Sequence, residues 1–203
     1  MKVLVGESKI KGERGLFAST NIKRGEYVCA LPIDYLKISS KWYSLNPKDT
    51  GPINFRYGIQ CDLVVPQSDK NVSVLGTFVN FLTSPRIITR SSLRIGLSGV
   101  SNPNRLEHDF LGHMMNDYVD MSLLDKHRYE QLSLPHENVE VDGDLEIFNS
   151  PTGLRLGLRV VAKRNIRRGE ELFFSYGVDY WKNYSGPEKI EINPPIEYIQ
   201  LRT

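Results

Sequence analysis

Three stretches of the chain carry residue types that can do chemistry. The first, Gly12-Glu13-Arg14-Gly15-Leu16-Phe17-Ala18, is a glycine-marked turn feeding a strand, and glycine lets a backbone approach a ligand closely because no Cβ intervenes. It matches neither the dinucleotide pattern G-x-G-x-x-G nor the Walker pattern, and no strongly helical run follows it. Taken alone it reads as a tight structural turn. The second, His108-Asp109-Phe110-Leu111-Gly112-His113-Met114-Met115-Asn116-Asp117-Tyr118, mixes polar and apolar residues. On a helix, His113 and Asp117 would stand at i and i+4 and could share a metal with His108 or Asp109, the makings of a metal-dependent hydrolase. Zinc sites of that kind carry a second tightly spaced His or cysteines, so hydrogen-bonded histidines are the better reading and no metal is expected. The third, Gly169-Glu170-Glu171-Leu172-Phe173-Phe174-Ser175-Tyr176-Gly177-Val178-Asp179-Tyr180-Trp181, reads as a strand with aromatic residues at its end. Alternation puts Leu172, Phe174 and Tyr176 on one face and Phe173 and Ser175 on the other. Core packing accounts for Leu172 and Phe173. Two tyrosines and a tryptophan where a strand gives way to glycine also suit a narrow aromatic pocket.

Short β-rich runs punctuated by Gly, Pro, Asn and Asp must position these residues, since long 3.6-period apolar stripes are scarce. Strands are expected at Tyr27 to Leu31, Tyr57 to Val65, Leu154 to Ala162 and Glu171 to Ser175, and helices at Ser73 to Thr83 and Met121 to Leu132. The fold class is mainly β with short helices. One internal echo stands out: Ala18 to Glu26 reads almost like Ala162 to Glu170. Both are expected to be strand, turn, strand units, with Asn21 and Asn165 starting the turn and Gly25 and Gly169 supplying a permissive backbone angle. Residues 39–104 look like an insertion in a domain spanning 1–181. Residues 182–203, with three prolines and few anchoring apolar groups, look like a tail or flap.

The chain has 203 residues, with 26 Lys+Arg against 24 Asp+Glu, a net charge of +2 and interspersed signs. No continuous basic stripe is evident, so direct nucleic-acid binding is not expected. Two cysteines, Cys29 and Cys61, can build neither a disulfide scaffold nor a four-cysteine zinc site. No run approaches 18 apolar residues and the N-terminus turns polar early. An intracellular, non-membrane protein of nucleus or cytoplasm is therefore expected, in a host cell if the source is viral or bacterial.

In order and combination these motifs resemble the SET-domain protein lysine methyltransferases, over residues 5 to 181 and most strongly over Ala162 to Tyr176. The resemblance implies small β-sheets around a knot-like threaded segment, and S-adenosylmethionine as cofactor. It places Gly12, Arg14 and Gly15 at the cofactor's methionine end, with Glu13 where the family has a further glycine. The family's Asn-His-Ser motif falls on Asn116-Asp117-Tyr118, and His113 stands where the family commonly has Arg. Asn116 and Asp117 are thereby implied in cofactor contact, although Asp117 can only accept where a His ring donates. Tyr176 falls on the catalytic tyrosine. An unperturbed phenol with pKa of about 10 is protonated at neutral pH, so orienting the substrate amine suits it better than acting as base. Phe174 and Tyr180 fall in the substrate lysine channel, where Phe in place of Tyr leaves room for di- or trimethylation. Trp181 is implied beside the cofactor, and Tyr180, Trp181 and Tyr184 can cap the site in place of the family's cysteine-rich segment. The implied partner is a protein substrate, with a histone tail the first guess; oligomeric state is open. A different reading, prompted by Glu13 and Asp117, is a catalytically degenerate SET fold serving as a protein-binding module.

Overall fold

The computed structural model describes residues 2–10, 14–38, 41–44, 53–54, 61–65, 93–98, 110–118, 126–150, 153–178, 181, 191–192 and 196–198. The expected helix from Ser73 to Thr83 lies outside them, as do His108, Asp109, Gly12, Glu13, Tyr180 and Tyr184. In chain order the strands are β1 (Val3–Glu7), β2 (Arg14–Ala18), β3 (Tyr27–Ile33), β4 (Tyr35–Ile38), β5 (Lys41–Ser44), β6 (Ile53–Asn54), β7 (Cys61–Val65), β8 (Leu93–Ser98), β9 (Val139–Ser150), β10 (Gly153–Ala162), β11 (Glu191–Ile192) and β12 (Ile196–Tyr198). One α-helix, α1 (Lys126–Ser133), is found among the described residues, and no helix there is long and apolar enough to cross a membrane. The mainly β class is as expected.

The chain divides into two compact units. The first comprises Met1–Ala30, His108–Asp142 and Arg159–Glu188. Here β1 and β2 form an antiparallel pair, Val3 opposite Ala18 and Glu7 opposite Arg14. The core gathers Val3, Leu16, Ala18, Ile22, Val28, Met115, Val139, Val160, Ile166 and Leu172, all buried. Burying such side chains stabilises by about 1.5–3 kcal/mol each before conformational entropy is counted, so this core dominates the unit's stability. The echo seen in the sequence becomes two facing turns, with Ile22 and Ile166 forming an antiparallel bridge. Gly25 and Gly169 take φ of 79° and 84°, as the turn chemistry requires.

The second unit comprises Leu31–Glu107, Gly143–Leu158 and Lys189–Thr203. Its main sheet runs β12-β5-β4-β8-β7, all antiparallel except the β12–β5 pair, which is parallel. Residues expected as an insertion supply three of its strands, β5, β7 and β8. Residues expected as a tail or flap supply β12 and the strand β11 that pairs with β6. That pairing is non-local, so local composition could not foretell it. Leu31, Ile33, Leu156 and Leu158 are buried, and Asp34 meets Arg155 at 3.7 Å.

One expectation is corrected. Glu171 to Ser175 is not a continuous strand: it makes isolated bridges, Glu171 with Phe17 and Phe173 with Asn116. The reason is that its backbone hydrogen bonds go to several different segments. Leu172 N–H donates to Leu16 O at 2.7 Å, Phe174 N–H to Asn116 O at 3.0 Å, and Phe173 N–H to the Asn138 side chain at 2.9 Å. Nor does a helix carry His113 and Asp117 together. Only Gly112–Met114 forms a 3₁₀ turn, which ends where Met115 adopts extended angles (φ −72°, ψ 134°). Of the helix expected from Met121 to Leu132, the described part begins at Lys126 and runs to Ser133.

Candidate active site

The described part of the candidate site lies in the first unit, where stretches distant in sequence meet: Ser8 to Ile10 with Arg14 and Gly15, Met115 to Tyr118, and Glu171 to Gly177. Two buried carboxylates join them. Glu171, 2% exposed, accepts the Ser8 hydroxyl at 2.5 Å and the Lys9 N–H at 3.0 Å, with the Asn116 amide at 3.5 Å. The Asn116 Nδ2 also donates to Ser8 Oγ at 3.1 Å and to the Arg14 carbonyl at 2.9 Å. A β-carbon at Gly15 would collide with the Glu171 carboxylate and stand 3.2 Å from Ser8 Cβ. Glycine is needed there for Glu171 to reach the N-terminal bend.

Asp117, 4% exposed, is the second hub. Its Oδ2 accepts the Tyr129 hydroxyl, the Tyr176 N–H at 2.9 Å and the Trp181 indole N–H at 2.9 Å, and its Oδ1 accepts the Ser133 hydroxyl at 2.5 Å. A carboxylate offers about four acceptor sites, and four donors take them. This commits the Asp117 carboxylate to internal donors and makes it the anchor of Tyr176 and Trp181. Burial, and then the neighbouring Asp117 carboxylate, push the Tyr129 phenol above its ordinary pKa, so it stays a proton donor. Its oxygen meets Ser175 Oγ at 2.8 Å and accepts the Gly177 N–H at 3.2 Å. Gly177 itself has φ 82°, which ends the segment in a turn.

Tyr176 donates its hydroxyl to the Met115 carbonyl at 2.8 Å, and its ring stacks on Trp181 with centroids 5.7 Å apart and planes at 22°. Tyr118 packs edge-on against Phe173 and stacks on His136, which fixes the far side of the Asn116 segment. Of the residues expected at the site, the structure brings together Arg14, Gly15, Asn116, Asp117, Phe174, Tyr176 and Trp181. His113 lies in the 3₁₀ turn just before. Among the described residues no group of three His, Cys, Asp or Glu side chains is placed to hold a metal. Sequence reasoning missed Ser8, Glu171, Tyr129, Ser133 and Asn138. The one available signal was Glu171 itself, a charge alternating onto the same face as Phe173.

A mainly β chain whose N-terminal bend, Asn-centred segment and tyrosine-ended segment are tied into one cluster is the arrangement that the SET-domain resemblance implies. Residues 13–177 match the SET-domain family profile, and the chain belongs to the SET-domain family. Family members use S-adenosylmethionine. No curated protein matches the chain. Solved structures similar to it include a Plasmodium falciparum protein described as a histone methyltransferase, with 14% identity, TM-score 0.36, and coverage of 89% of this chain and 96% of that one. Two more are Polycomb Repressive Complex 2 assemblies. One is an autoinhibited ctPRC2 bound to S-adenosylmethionine, with 16% identity and TM-score 0.34. The other is a humanized Chaetomium thermophilum mutant bound to the inhibitor GSK126, with 18% identity and TM-score 0.32. In each, 86% of this chain is covered and the chain spans 15% of the larger one.

Proposed function

We propose that the protein is an S-adenosylmethionine-dependent protein-lysine N-methyltransferase with Tyr176 as its catalytic residue. The observation that carries this reading is the tying of Ser8, Lys9, Asn116 and Tyr176 into one cluster by Glu171 and Asp117. The residues present fit the cofactor. Both N–H groups of Asn116 are engaged within the protein, which leaves its amide oxygen as an acceptor for an ammonium. The stacked Tyr176 and Trp181 rings offer an aromatic face, which attracts a sulfonium by roughly 0.5–2 kcal/mol. The bound cofactor supplies an electrophilic methyl group on sulfur.

Tyr176 spends its proton on the Met115 carbonyl. Its oxygen lone pairs can therefore accept from a lysine amine and orient it, which is positioning and not proton abstraction. A lysine ammonium, with ordinary pKa of about 10.4, has no lone pair to attack with, and desolvation beside Phe174, Tyr176 and Trp181 lowers that pKa. Solvent takes the proton. Phe174 in place of a second tyrosine leaves room for di- or trimethylation, and a histone tail lysine is the first substrate to try.

The commitment of the Asp117 carboxylate to internal donors favours a second reading, a SET fold kept as a protein-binding module. Transfer of tritiated methyl from S-adenosylmethionine to mixed core histones separates the two. Label on lysine that Tyr176→Phe abolishes supports the enzyme. No incorporation, together with no calorimetric binding of S-adenosylmethionine at millimolar concentration, overturns it in favour of the module.

A further inference from the structure

The duplicated turn plays no part in the site just described, and its geometry has a separate use. The two copies hold each other in a reciprocal pattern. Arg24 N–H donates to the Asn165 side chain at 3.0 Å, and Arg168 N–H to the Asn21 side chain at 2.9 Å. Ile22 and Ile166 exchange N–H to O bonds of 2.9 and 2.8 Å, Gly25 N–H reaches Ala162 O at 2.7 Å, and Gly169 N–H reaches Ala18 O at 2.8 Å. Residues some 140 positions apart thus share one edge. That edge gathers six exposed cations, Lys23, Arg24, Lys163, Arg164, Arg167 and Arg168.

Of these, Lys163 pairs with Glu137 at 2.5 Å and Arg164 with Glu170 at 3.1 Å. Lys23, Arg24, Arg167 and Arg168 make no side-chain ion pair among the described residues. The turns' own carboxylates are already engaged. The Lys23 N–H and then the Lys2 ammonium hold Glu26 below its ordinary pKa, and Glu170, despite partial burial pushing the other way, is held low by the Arg167 N–H and Arg164. Six cations against three glutamates, Glu26, Glu137 and Glu170, leave a local excess of three, where the whole chain has +2.

We infer that this paired-turn edge is a docking surface for the phosphate backbone of a nucleic-acid duplex. Phosphate is favoured over an acidic peptide on two grounds. Three of the four unpaired cations are arginines, whose planar fork suits phosphate oxygens. The edge also offers no apolar anchor, since Ile22 and Ile166 are buried against each other, whereas protein interfaces rely on such anchors. The backbone N–H groups of Lys23, Arg24, Gly25, Arg167, Arg168 and Gly169 are all consumed internally. Contact is therefore by side chains alone and blind to base sequence. The linear sequence hid this surface because its two basic runs are separate.

The test is fluorescence anisotropy of the full chain with a labelled duplex DNA of arbitrary sequence, repeated with duplex RNA, across a salt series. Four phosphate contacts predict a log–log salt slope of about −3.6, so raising salt from 50 to 200 mM weakens binding by about 10²-fold. Arg24→Glu with Arg168→Glu should reduce the slope to about −2 or less and weaken binding at least about tenfold, while Lys126→Glu, exposed on α1, changes neither. If the reversal perturbs folding, as read by circular dichroism, Arg24→Gln with Arg168→Gln replaces it and should lower the slope to about −2. A slope shallower than about −1, an unchanged affinity in these variants, or equally tight binding of poly-glutamate overturns the inference. None of these readouts depends on methyl transfer.

Discussion

Replacing Asp117 by Asn keeps the side chain's shape but removes its charge and turns one acceptor oxygen into a donor facing donors. Four groups bond to this carboxylate, and the single amide oxygen of Asn can retain two. Tyr129 keeps Ser175 as a partner and the half-buried Trp181 indole can turn to water, but the Tyr176 N–H bonds Oδ2 and the buried Ser133 hydroxyl Oδ1, so the single amide oxygen cannot serve both and one of them is left facing the amide N–H groups. A buried donor left unpaired costs about 1–3 kcal/mol, and the variant should be destabilised by that amount. At about 2–4 °C per kcal/mol for a chain of this size, the thermal midpoint should fall by about 2–12 °C. The chain has two compact units, so the assay must report on the first alone. Its two tryptophans are Trp42 and Trp181, and Trp181 fluorescence in a Trp42→Phe background does this during urea unfolding. Asp117→His, which restores the residue type the family has there, should destabilise by a similar amount, because a neutral imidazole accepts at one nitrogen only. A loss below about 0.5 kcal/mol in both variants would refute the reasoning that this carboxylate anchors Tyr176.

Other consequences are as direct. Gly15→Ala drives a β-carbon into the Glu171 carboxylate and should cost about 1–3 kcal/mol in urea unfolding. Gly169→Ala meets open space but must hold φ at 84°, so only backbone strain of about 1–2 kcal/mol is expected. Because the Tyr129 pKa is raised in the folded state, its contribution is complete below pH 10 and is lost as pH climbs through the raised value. Unfolding midpoints across pH 8 to 12 should fall at the alkaline end, and Tyr129→Phe should flatten that limb. Phe174→Tyr should shift the products of any lysine methylation toward the monomethyl form, as read by mass spectrometry; an unchanged distribution counts against the channel assignment.

How much of this could be read from residues alone depended on how local the cause was. The paired turns were legible because Asn and Gly at fixed positions dictate them within a few residues, and Gly25 and Gly169 adopt the angles expected. Asn116 and Tyr176 were legible through the order of motifs. The role of Asp117 was not, since its donors come from Tyr129, Ser133, Tyr176 and Trp181, 12 to 64 residues away. Glu171 was read as the start of a strand, yet its side chain's partners lie more than 160 residues upstream at Ser8 and Lys9. The continuous strand expected at Glu171 to Ser175 broke up for the same reason: its backbone is shared among several distant segments. The strands beyond residue 190 pair with residues 42–44 and 53–54, a pairing that no local pattern encodes.

The central claim is that the N-terminal bend, the Asn116 segment and the Tyr176 segment form one binding site. Titrating S-adenosylmethionine into ¹⁵N-labelled protein tests it directly. The account predicts that the amides of Gly15, Asn116 and Gly177 and the Trp181 indole shift together and saturate along one binding curve. Shifts confined to a single segment, or none at millimolar cofactor, would contradict it.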